Sequence, residues 1–364
     1  MSIHALHDDH GRTVRYLRLS LTDRCNLRCL YCHSNARHQC IPHEKVLRYE
    51  EMIRLVQIVR GMGVGKVRLT GGEPFARKGC DDFLLRLRQR FDDLDIRITT
   101  NGTLLEEHIP LLQRIRISAV NLSLDSFDRE TFARVTGRDM LPEVLRALDA
   151  MLAAGIRVKI NAVGLRGIND GQLADFVHAA MTLPVDVRFI EFMPMGSDTL
   201  WSPENFWPAS DIRAAVEQHV RLVPLGDANE GQRGPARMFA LEGGKGRMGF
   251  ITPLTNHFCL SCNRLRMTSD GHLRTCLFAD REYPLRPLLR HPKVTDEHIA
   301  RVRPGLQEQA RGRGSAGGPA GGRCGQQQDG LHRRLGQGAP AARQGALRGG
   351  VAGTTGLAIY IDTK

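Results

Sequence analysis

The chain contains 364 residues, of which 41% are hydrophobic and 25% are charged, and it carries a formal net charge of +12. Residues 1–15 lack an apolar segment of signal-peptide type and no apolar run reaches about eighteen residues, so the sequence excludes a membrane-spanning helix and favours the cytoplasm. Nine cysteines in such a reducing compartment indicate metal or cluster ligands before disulfides.

The first half of the chain alternates between short apolar runs rich in β-branched residues and helix-length segments with apolar residues at three- and four-residue spacings. The predicted strands are residues 16–21, 66–70, 95–100, 119–124, 157–163 and 186–192. The predicted helices are residues 49–62, 80–91, 104–114, 140–154 and 170–181. This repetition predicts an α/β fold, an incomplete (β/α)6 TIM-type barrel with its chemistry at the carboxyl ends of the strands.

The loop after the first strand contains Cys25, Cys29 and Cys32 in a C-x3-C-x2-C pattern. Three thiolates can hold three irons of a [4Fe–4S] cluster and leave the fourth iron without a protein ligand, because soft sulfur ligands favour iron–sulfur clusters. A zinc loop is the alternative, but no fourth ligand stands at the usual zinc spacing. With Tyr31 directly before the last cysteine, the pattern resembles the radical S-adenosylmethionine (SAM) superfamily, which implies that SAM chelates the open iron.

Polar and glycine-rich segments follow the next predicted strands. The segment 71–74 reads Gly-Gly-Glu-Pro, and such glycines allow backbone to approach a ligand closely, although a lone Gly-Gly more often marks a turn. Residues 98–102 and 121–126 end the third and fourth strands with hydroxyl and carboxamide side chains, which taken singly indicate turns or helix caps. Resemblance to the radical SAM superfamily implies that the Gly-Gly-Glu-Pro segment lines the methionine end of SAM.

A second set of three cysteines, Cys259, Cys262 and Cys276, follows a region of shorter apolar runs. Its C-x2-C-x13-C spacing leaves a zinc ribbon open, with His257 or His272 as the fourth ligand. Two three-cysteine sets on either side of a β/α barrel, with Asn-Arg-Leu-Arg at residues 263–266, resemble the MoaA family, the GTP 3′,8-cyclases of molybdenum cofactor biosynthesis. The resemblance covers about residues 14–300 and includes segments 16–25, 66–73, 158–161 and 188–194 in the expected order.

The resemblance assigns the site. It implies two [4Fe–4S] clusters, one on each cysteine set. Side chains expected to surround GTP are Arg18, Lys66, Arg68, Thr99, Lys159, Arg188, Arg264 and Arg266. Side chains or backbone expected to contact SAM are Tyr31, Gly72, Ser123 and Met193. Arg264 and Arg266 are also expected to steer the nucleotide during catalysis. Arginine forks and lysine charges suit a triphosphate. A solvated charge is less expected within a predicted barrel strand, which is where Lys66, Arg68, Lys159 and Arg188 lie.

The family resemblance also implies the reaction and the partners. An electron delivered to the first cluster would cleave SAM to methionine and a 5′-deoxyadenosyl radical, which would take hydrogen from C3′ of GTP. The sugar radical would then add to C8 of guanine and give 3′,8-cyclo-7,8-dihydroguanosine 5′-triphosphate, with the second cluster holding the guanine ring. The expected partners are GTP, a reductant, a MoaC-type enzyme that uses the product, and a second copy of the chain in a homodimer.

Two alternative functions have sequence features in their favour. A peptide or sulfatase maturase would share the first cysteine motif and the barrel, but such enzymes usually carry a longer auxiliary region with seven cysteines. A metal-stabilised nucleic-acid-binding protein would suit the basic charge, but it leaves the first motif and the Gly-Gly-Glu-Pro segment unexplained.

The sequence predicts three regions: a radical SAM partial barrel at 1–220, an auxiliary cluster region at 221–302 and a low-complexity tail at 303–364. The tail contains sixteen glycines, and its nine Arg and Lys against three Asp and Glu contribute +6 of the net charge. Such a composition predicts disorder and no role for Cys324 as a ligand. The abrupt loss of pattern is typical of a reading-frame shift, with a genuine disordered or RNA-binding extension as the alternative, and predicts impaired cyclisation.

Overall fold

A computed structural model describes residues 6, 12–32, 40–194, 201–226, 234–257, 262–278 and 281–302. Three features of the sequence lie outside these residues: Cys259, Cys324 and the tail at 303–364. The predictions made for them therefore stay predictions. Among the described residues, no helix is both long and apolar enough to span a membrane.

The six strands predicted from the apolar runs are present. They are β1 (Tyr16–Ser20), β2 (Lys66–Thr70), β3 (Asp95–Thr100), β4 (Ala119–Ser123), β5 (Val158–Gly164) and β6 (Asp186–Glu191). They pair in parallel in chain order. Because a parallel pair needs a crossover connection, the helix-length segments between them pack on the outside of the sheet. The predicted α/β fold with a partial parallel barrel is confirmed.

The connecting helices agree with the predicted segments, with two differences. The helices are α1 (Tyr49–Gly61), α2 (Cys80–Arg90), α3 (Ile109–Arg114), α4 (Arg129–Thr136), α5 (Leu141–Ala153), α6 (Leu173–Thr182), α7 (Ala209–Glu217), α8 (Arg286–Arg290) and α9 (Asp296–Arg301). The predicted helices at 104–114 and 170–181 begin as short 3-10 turns, Glu106–His108 and Asp170–Gln172, before α3 and α6. Helices α4, α7, α8 and α9 were not predicted.

The strands that follow β6 extend the same sheet at both edges. They are β7 (Leu222–Pro224), β8 (Arg237–Leu241), β9 (Arg247–Ile251), β10 (Arg264–Met267), β11 (His272–Arg274) and β12 (Tyr283–Pro284). The strand order is β12-β11-β10-β1-β2-β3-β4-β5-β6-β9-β8-β7, in which β9 runs parallel to β6 and β10 parallel to β1. The predicted boundary at residue 220 therefore does not separate two sheets, and the division into regions stays a prediction.

Side chains alternate between the two faces of the parallel strands, as the strand period requires. In β1, Leu17 and Leu19 are fully buried beneath the helices, whereas Tyr16, Arg18 and Ser20 are only partly buried on the other face. Strands β3 and β5 show the same alternation. The outer face thus supplies the hydrophobic core, and the inner face presents polar and charged side chains to the lumen.

Candidate active site

The first cysteine set lies in the loop that follows β1. Cys25, Cys29 and Cys32 are free thiols, the first two partly buried and the third exposed, and the Cys32 N–H donates to the carbonyl oxygen of Cys29 at 3.1 Å. Burial raises the pKa of Cys29, and the charges of Asp125, Cys32 and Cys25 raise it further. Bound iron would offset that repulsion between thiolates, so the loop fits an iron–sulfur cluster.

The alternative of a single zinc ion is disfavoured in the part of the chain that the structure describes. Within those residues, no three His, Cys, Asp or Glu side chains converge closely enough to hold one metal ion. In a four-iron cluster each thiolate binds a different iron, so its ligands stand further apart than those of one ion.

The two glycines after β2 hold this cysteine loop in place. A Cβ atom at Gly72 would lie 2.0 Å from the carbonyl oxygen of Arg24, and one at Gly71 would lie 2.3 Å from that of Thr22. The Gly72 N–H donates to Thr22 at 2.7 Å, and the Glu73 N–H donates to Arg24 at 2.8 Å. The sequence predicted a close approach of this backbone to a ligand, but the approach that the structure shows is to the loop that leads into Cys25.

Glu73 connects the same loop to the end of β3. Its carboxylate is fully buried and accepts hydrogen bonds from the Thr100 hydroxyl at 2.8 Å and from the Asn101 N–H at 2.8 Å. Burial raises the pKa of Glu73 to about 7, because these donors only partly offset the loss of hydration. The Asn101 amide group in turn donates to Cys25 Sγ at 3.6 Å and to Asn26 at 2.9 Å.

Tyr31 is anchored from the other side of the loop. Its hydroxyl donates to Asp125 Oδ2 at 2.5 Å, and Asp125 Oδ1 accepts from the Val163 N–H at 2.8 Å. Asp125 is buried just beyond β4, and burial raises its pKa to about 6. The cysteine loop is therefore fixed by groups at the carboxyl ends of β2, β3, β4 and β5.

The two described members of the second cysteine set, Cys262 and Cys276, lie at the opposite end of the barrel. Cys262 precedes β10, which runs parallel to β1, and Cys276 follows β11, which runs antiparallel to β10, so both are at the amino end of β1. Strand β1 is five residues long, about 16 Å at the rise of a strand. Burial raises the pKa of Cys262, but the charges and hydrogen bonds of Arg264 and the charge of Arg266 outweigh it and lower that pKa.

A large cavity occupies the lumen between the two cysteine sets. Its volume, leaving out the open solvent at its mouth, is ≈ 190 Å³. Among the side chains that line it are Tyr16, Arg18, Arg68, Arg97, Asn121, Lys159, Asn161, Arg188, Met193, His257, Cys262, Arg264, Arg266 and Cys276. Seven of these are arginine or lysine and none is Asp or Glu, so the cavity suits a polyanion.

Several of these arginines are buried with nitrogen atoms that have no hydrogen-bond partner among the described residues. These atoms are Arg68 Nε, Arg188 Nε and Nη2, and Arg266 Nε and Nη1. Burial and neighbouring positive charges lower the pKa of Arg188 to about 9 and those of Arg68 and Arg266 to about 10. Negatively charged acceptors in the cavity would relieve both the desolvation and the mutual repulsion.

The structure places most, but not all, of the predicted GTP-binding residues around this cavity. Lys66 and Thr99 are not among its lining residues: Lys66 Nζ lies 3.8 Å from Asp95, and Thr99 has a buried hydroxyl without a partner among the described residues. The sequence did not single out Tyr16, Arg97, Asn121 or Asn161 as site residues. The sequence nevertheless contained an indication of their role. Each of them stands two positions from a predicted site residue and therefore lies on the same face of its strand.

The predicted SAM-contacting residues are divided between the cavity and the loops. Met193 lines the cavity, whereas Tyr31 and Gly72 lie in the loops around the first cysteine set and Ser123 ends β4. Of the two histidines left open as zinc ligands, His257 lines the cavity and His272 pairs with Asp270 at 2.9 Å.

Two protein families match consecutive parts of the chain. Residues 19–180 match the radical SAM superfamily, and residues 185–313 match the family described as Molybdenum Cofactor Synthesis C. The first match contains the cysteine loop and the Gly-Gly-Glu-Pro segment, and the second contains Cys259, Cys262 and Cys276.

Two curated relatives align with most of the chain. The protein named GTP 3′,8-cyclase from Syntrophomonas wolfei is 43% identical over 80% of this chain and 89% of its own length. The protein of the same name from Thermodesulfovibrio yellowstonii is 40% identical over 80% of this chain and 90% of its own length. Among solved structures, SuiB from Streptococcus suis bound to S-adenosylmethionine has a TM-score of 0.58. It is 14% identical, over 77% of this chain and 64% of SuiB, so that likeness concerns the fold alone.

Proposed function

We propose that this chain, which belongs to the GTP 3′,8-cyclase family of the radical SAM superfamily, converts GTP to 3′,8-cyclo-7,8-dihydroguanosine 5′-triphosphate in molybdenum cofactor biosynthesis. Identity above 40% to the Syntrophomonas wolfei cyclase over most of both chains supports this reaction. The same comparison does not favour a peptide or sulfatase maturase.

The observation that carries the proposal is the cationic cavity between the two cysteine sets. Buried arginine nitrogens without partners among the described residues need hydrogen-bond acceptors, and phosphate groups supply these with a compensating charge and in forked geometry. Asn121 and Asn161 each have a buried side-chain oxygen without a hydrogen-bond partner among the described residues. These oxygens can accept from the hydroxyl or ring N–H groups of a nucleoside. The cavity thus offers acceptors and donors to the two halves of a nucleotide.

The first cysteine set fits a cluster with SAM at its open iron. When bound, that pair supplies radical chemistry which amino-acid side chains cannot provide. The chain itself positions the reactants: Glu73 and Asp125 fix the cysteine loop, while Arg68, Arg188 and Arg266 hold the nucleotide in the lumen. Orientation of this kind contributes much of the rate of a reaction between two bound partners.

A second cluster, bound by Cys259, Cys262 and Cys276, is part of the proposal. Its support is the placement of Cys262 and Cys276 at one end of the barrel, and the low pKa that Arg264 and Arg266 give Cys262. Arg264 and Arg266 lie within β10, with Arg264 beside Tyr16 and Arg266 beside Arg18 on β1. They therefore connect the second cysteine set to the nucleotide-binding face and are proposed to steer the nucleotide during catalysis.

Further parts of the proposal rest on family membership. We expect a cytoplasmic homodimer, a reductant of unknown identity and a MoaC-type enzyme that consumes the product. We also expect Tyr31, Gly72, Ser123 and Met193 to contact SAM, and Lys66 and Thr99 to approach GTP when the nucleotide is bound.

Product analysis tests the function directly. Protein reconstituted anaerobically with iron and sulfide is incubated with SAM, GTP and dithionite, and the products are separated by liquid chromatography with mass detection. We expect both 5′-deoxyadenosine and the cyclised nucleotide, with less of the nucleotide because the tail at 303–364 is predicted to impair cyclisation. The Arg188→Gln variant should still bind two clusters but form less of the cyclised product. SAM cleavage by the unsubstituted protein without any change in GTP would refute the proposed substrate.

A further inference from the structure

Arg97 lines the nucleotide cavity as the end of a row of arginines. Its Cα atom is the register partner of Arg68 in β2, Arg68 is the partner of Arg18 in β1, and Arg18 is the partner of Arg266 in β10. Four arginines therefore stand at one level on four adjacent strands, all on the luminal side. Adjacent strands lie about 4.8 Å apart, so the row extends about 14 Å across the cavity wall.

Asp95 holds the Arg97 side chain in a fixed orientation. Arg97 Nε donates to Asp95 Oδ1 at 2.9 Å and Nη2 donates to Oδ2 at 2.8 Å, which is a two-pronged contact along one edge of the guanidinium group. Nη1 makes no hydrogen bond to any other described residue, so that edge of the group remains available. The side chain is 22% exposed, which leaves it accessible from the cavity.

Charge balance also separates this contact from an ordinary structural ion pair. Asp95 is shared between Arg97 and Lys66, whose Nζ lies 3.8 Å from Oδ2, so one negative charge faces two positive charges. Arg97 also adds its charge to the group of cations around Arg68, whose pKa it helps to lower. Arg97, Lys66 and Asp95 together therefore retain a net positive charge beside the cavity, and this charge favours an anionic ligand.

We propose that Arg97 is a further nucleotide-binding residue that contacts the phosphate groups, and that Asp95 is the positioning residue that presents it. This inference rests on the proposed function and adds a residue to it. The row of four guanidinium groups matches a chain of phosphates better than it matches a single anion, because each fork can pair with different phosphate oxygens. Arg97 thereby contributes to the preference for a triphosphate over a monophosphate.

Equilibrium binding without a reductant tests the inference apart from catalysis. The reconstituted protein is dialysed against GTP or GMP, and the affinities are compared for the unsubstituted protein, Arg97→Gln, Arg97→Lys and Asp95→Asn. Arg97→Gln should weaken GTP binding about tenfold, or about 1.4 kcal/mol, and should weaken GMP binding less. Arg97→Lys keeps the charge without the fork, so its GTP affinity should lie between those of the unsubstituted protein and Arg97→Gln. Asp95→Asn should lie in the same interval, because loss of the two-pronged contact that orients Arg97 outweighs the positive charge gained.

The matched control is Arg60→Gln. Arg60 also pairs with a carboxylate, donating to Asp93 at 2.8 Å, but lies outside the cavity, so GTP affinity should not change. Unchanged GTP affinity in Arg97→Gln, or an equal loss in Arg60→Gln, would overturn the role of Arg97. Unchanged affinity in Asp95→Asn would overturn the positioning role. If the unsubstituted protein binds no GTP, the proposed function itself fails, and that result is distinguishable from failure of Arg97 alone. If it binds GTP no better than GMP, the contribution of the arginine row to a triphosphate preference is overturned.

Discussion

Replacing Gly72 with alanine should prevent the first cluster from assembling. The new Cβ atom would lie 2.0 Å from the Arg24 carbonyl oxygen and 2.4 Å from its carbonyl carbon, both of which belong to the backbone. Because carbon and oxygen atoms in contact stay at least about 3 Å apart, the segment before Cys25 would have to move by about 1 Å.

The cost of that movement follows from the bonds that it breaks. The Gly72 N–H bond to Thr22 at 2.7 Å and the Glu73 N–H bond to Arg24 at 2.8 Å would both be stretched or lost. Each is worth about 0.5–1.5 kcal/mol, so we expect a destabilisation of about 1–3 kcal/mol. A displacement of about 1 Å near the reacting groups can also lower a rate about a hundredfold, so SAM cleavage should fall by at least that factor.

Iron content and SAM cleavage are the measurements, with Gly65→Ala as the control. Gly65 lies just before β2, and a Cβ atom there meets nothing within 4 Å, so that variant should resemble the unsubstituted protein. For Gly72→Ala we expect the iron of one cluster to be lost and the melting temperature to fall. Full iron content with normal formation of 5′-deoxyadenosine would show that the loop tolerates the methyl group. The steric conflict predicted between residue 72 and the Arg24 carbonyl group would then be wrong.

Three further predictions concern the cysteines and the cavity. Cys29→Ala should abolish 5′-deoxyadenosine formation, because the first cluster would lose one of its three protein ligands; detectable SAM cleavage would argue against this ligand set. Cys276→Ala should retain weak SAM cleavage and lose cyclisation, so normal cyclisation would argue against a catalytic second cluster. Burial lowers the pKa of Lys159 to about 8 and Asp186 offsets this only in part, so its charge is lost as the pH rises through that value. GTP affinity should therefore fall between about pH 7 and pH 9, while Lys159→Arg should show a flatter profile in the same titration.

The strands could be predicted because their signal is local. Runs of β-branched residues separated by helix-length segments set both the positions of β1 to β6 and their parallel pairing. Helix α4 was missed although it has local signals: Asp128 caps its first turn by accepting from the Thr131 N–H at 2.8 Å, and Gly137 ends it at a φ of 71°. Its eight residues are too few for a clear apolar period.

The position of β10 could not be predicted in the same way. Its residues 264–266 were recognised as part of a ligand segment, but their pairing with β1 depends on a contact between distant parts of the chain. Lys66 shows the same limit within the site. Lys66 stands two positions from Arg68 on β2, so the strand period places both side chains on the luminal face. Lys66 nevertheless pairs with Asp95 on β3, a contact that only the register of the two strands reveals.

The pairing of β1 with β10 also sets the order in which the protein can be completed. Tyr16 and Arg264 are register partners although Arg264 follows about 250 residues later in the chain. At about 20 residues per second, the fastest usual rate of synthesis, β1 waits more than about 12 s on the ribosome with one edge unpaired. An exposed edge of this kind can pair with another chain. A nascent chain that stalls before β10 therefore carries an open strand edge and lacks Cys276. Arrested synthesis thus favours aggregation over an enzyme that holds the first cluster alone.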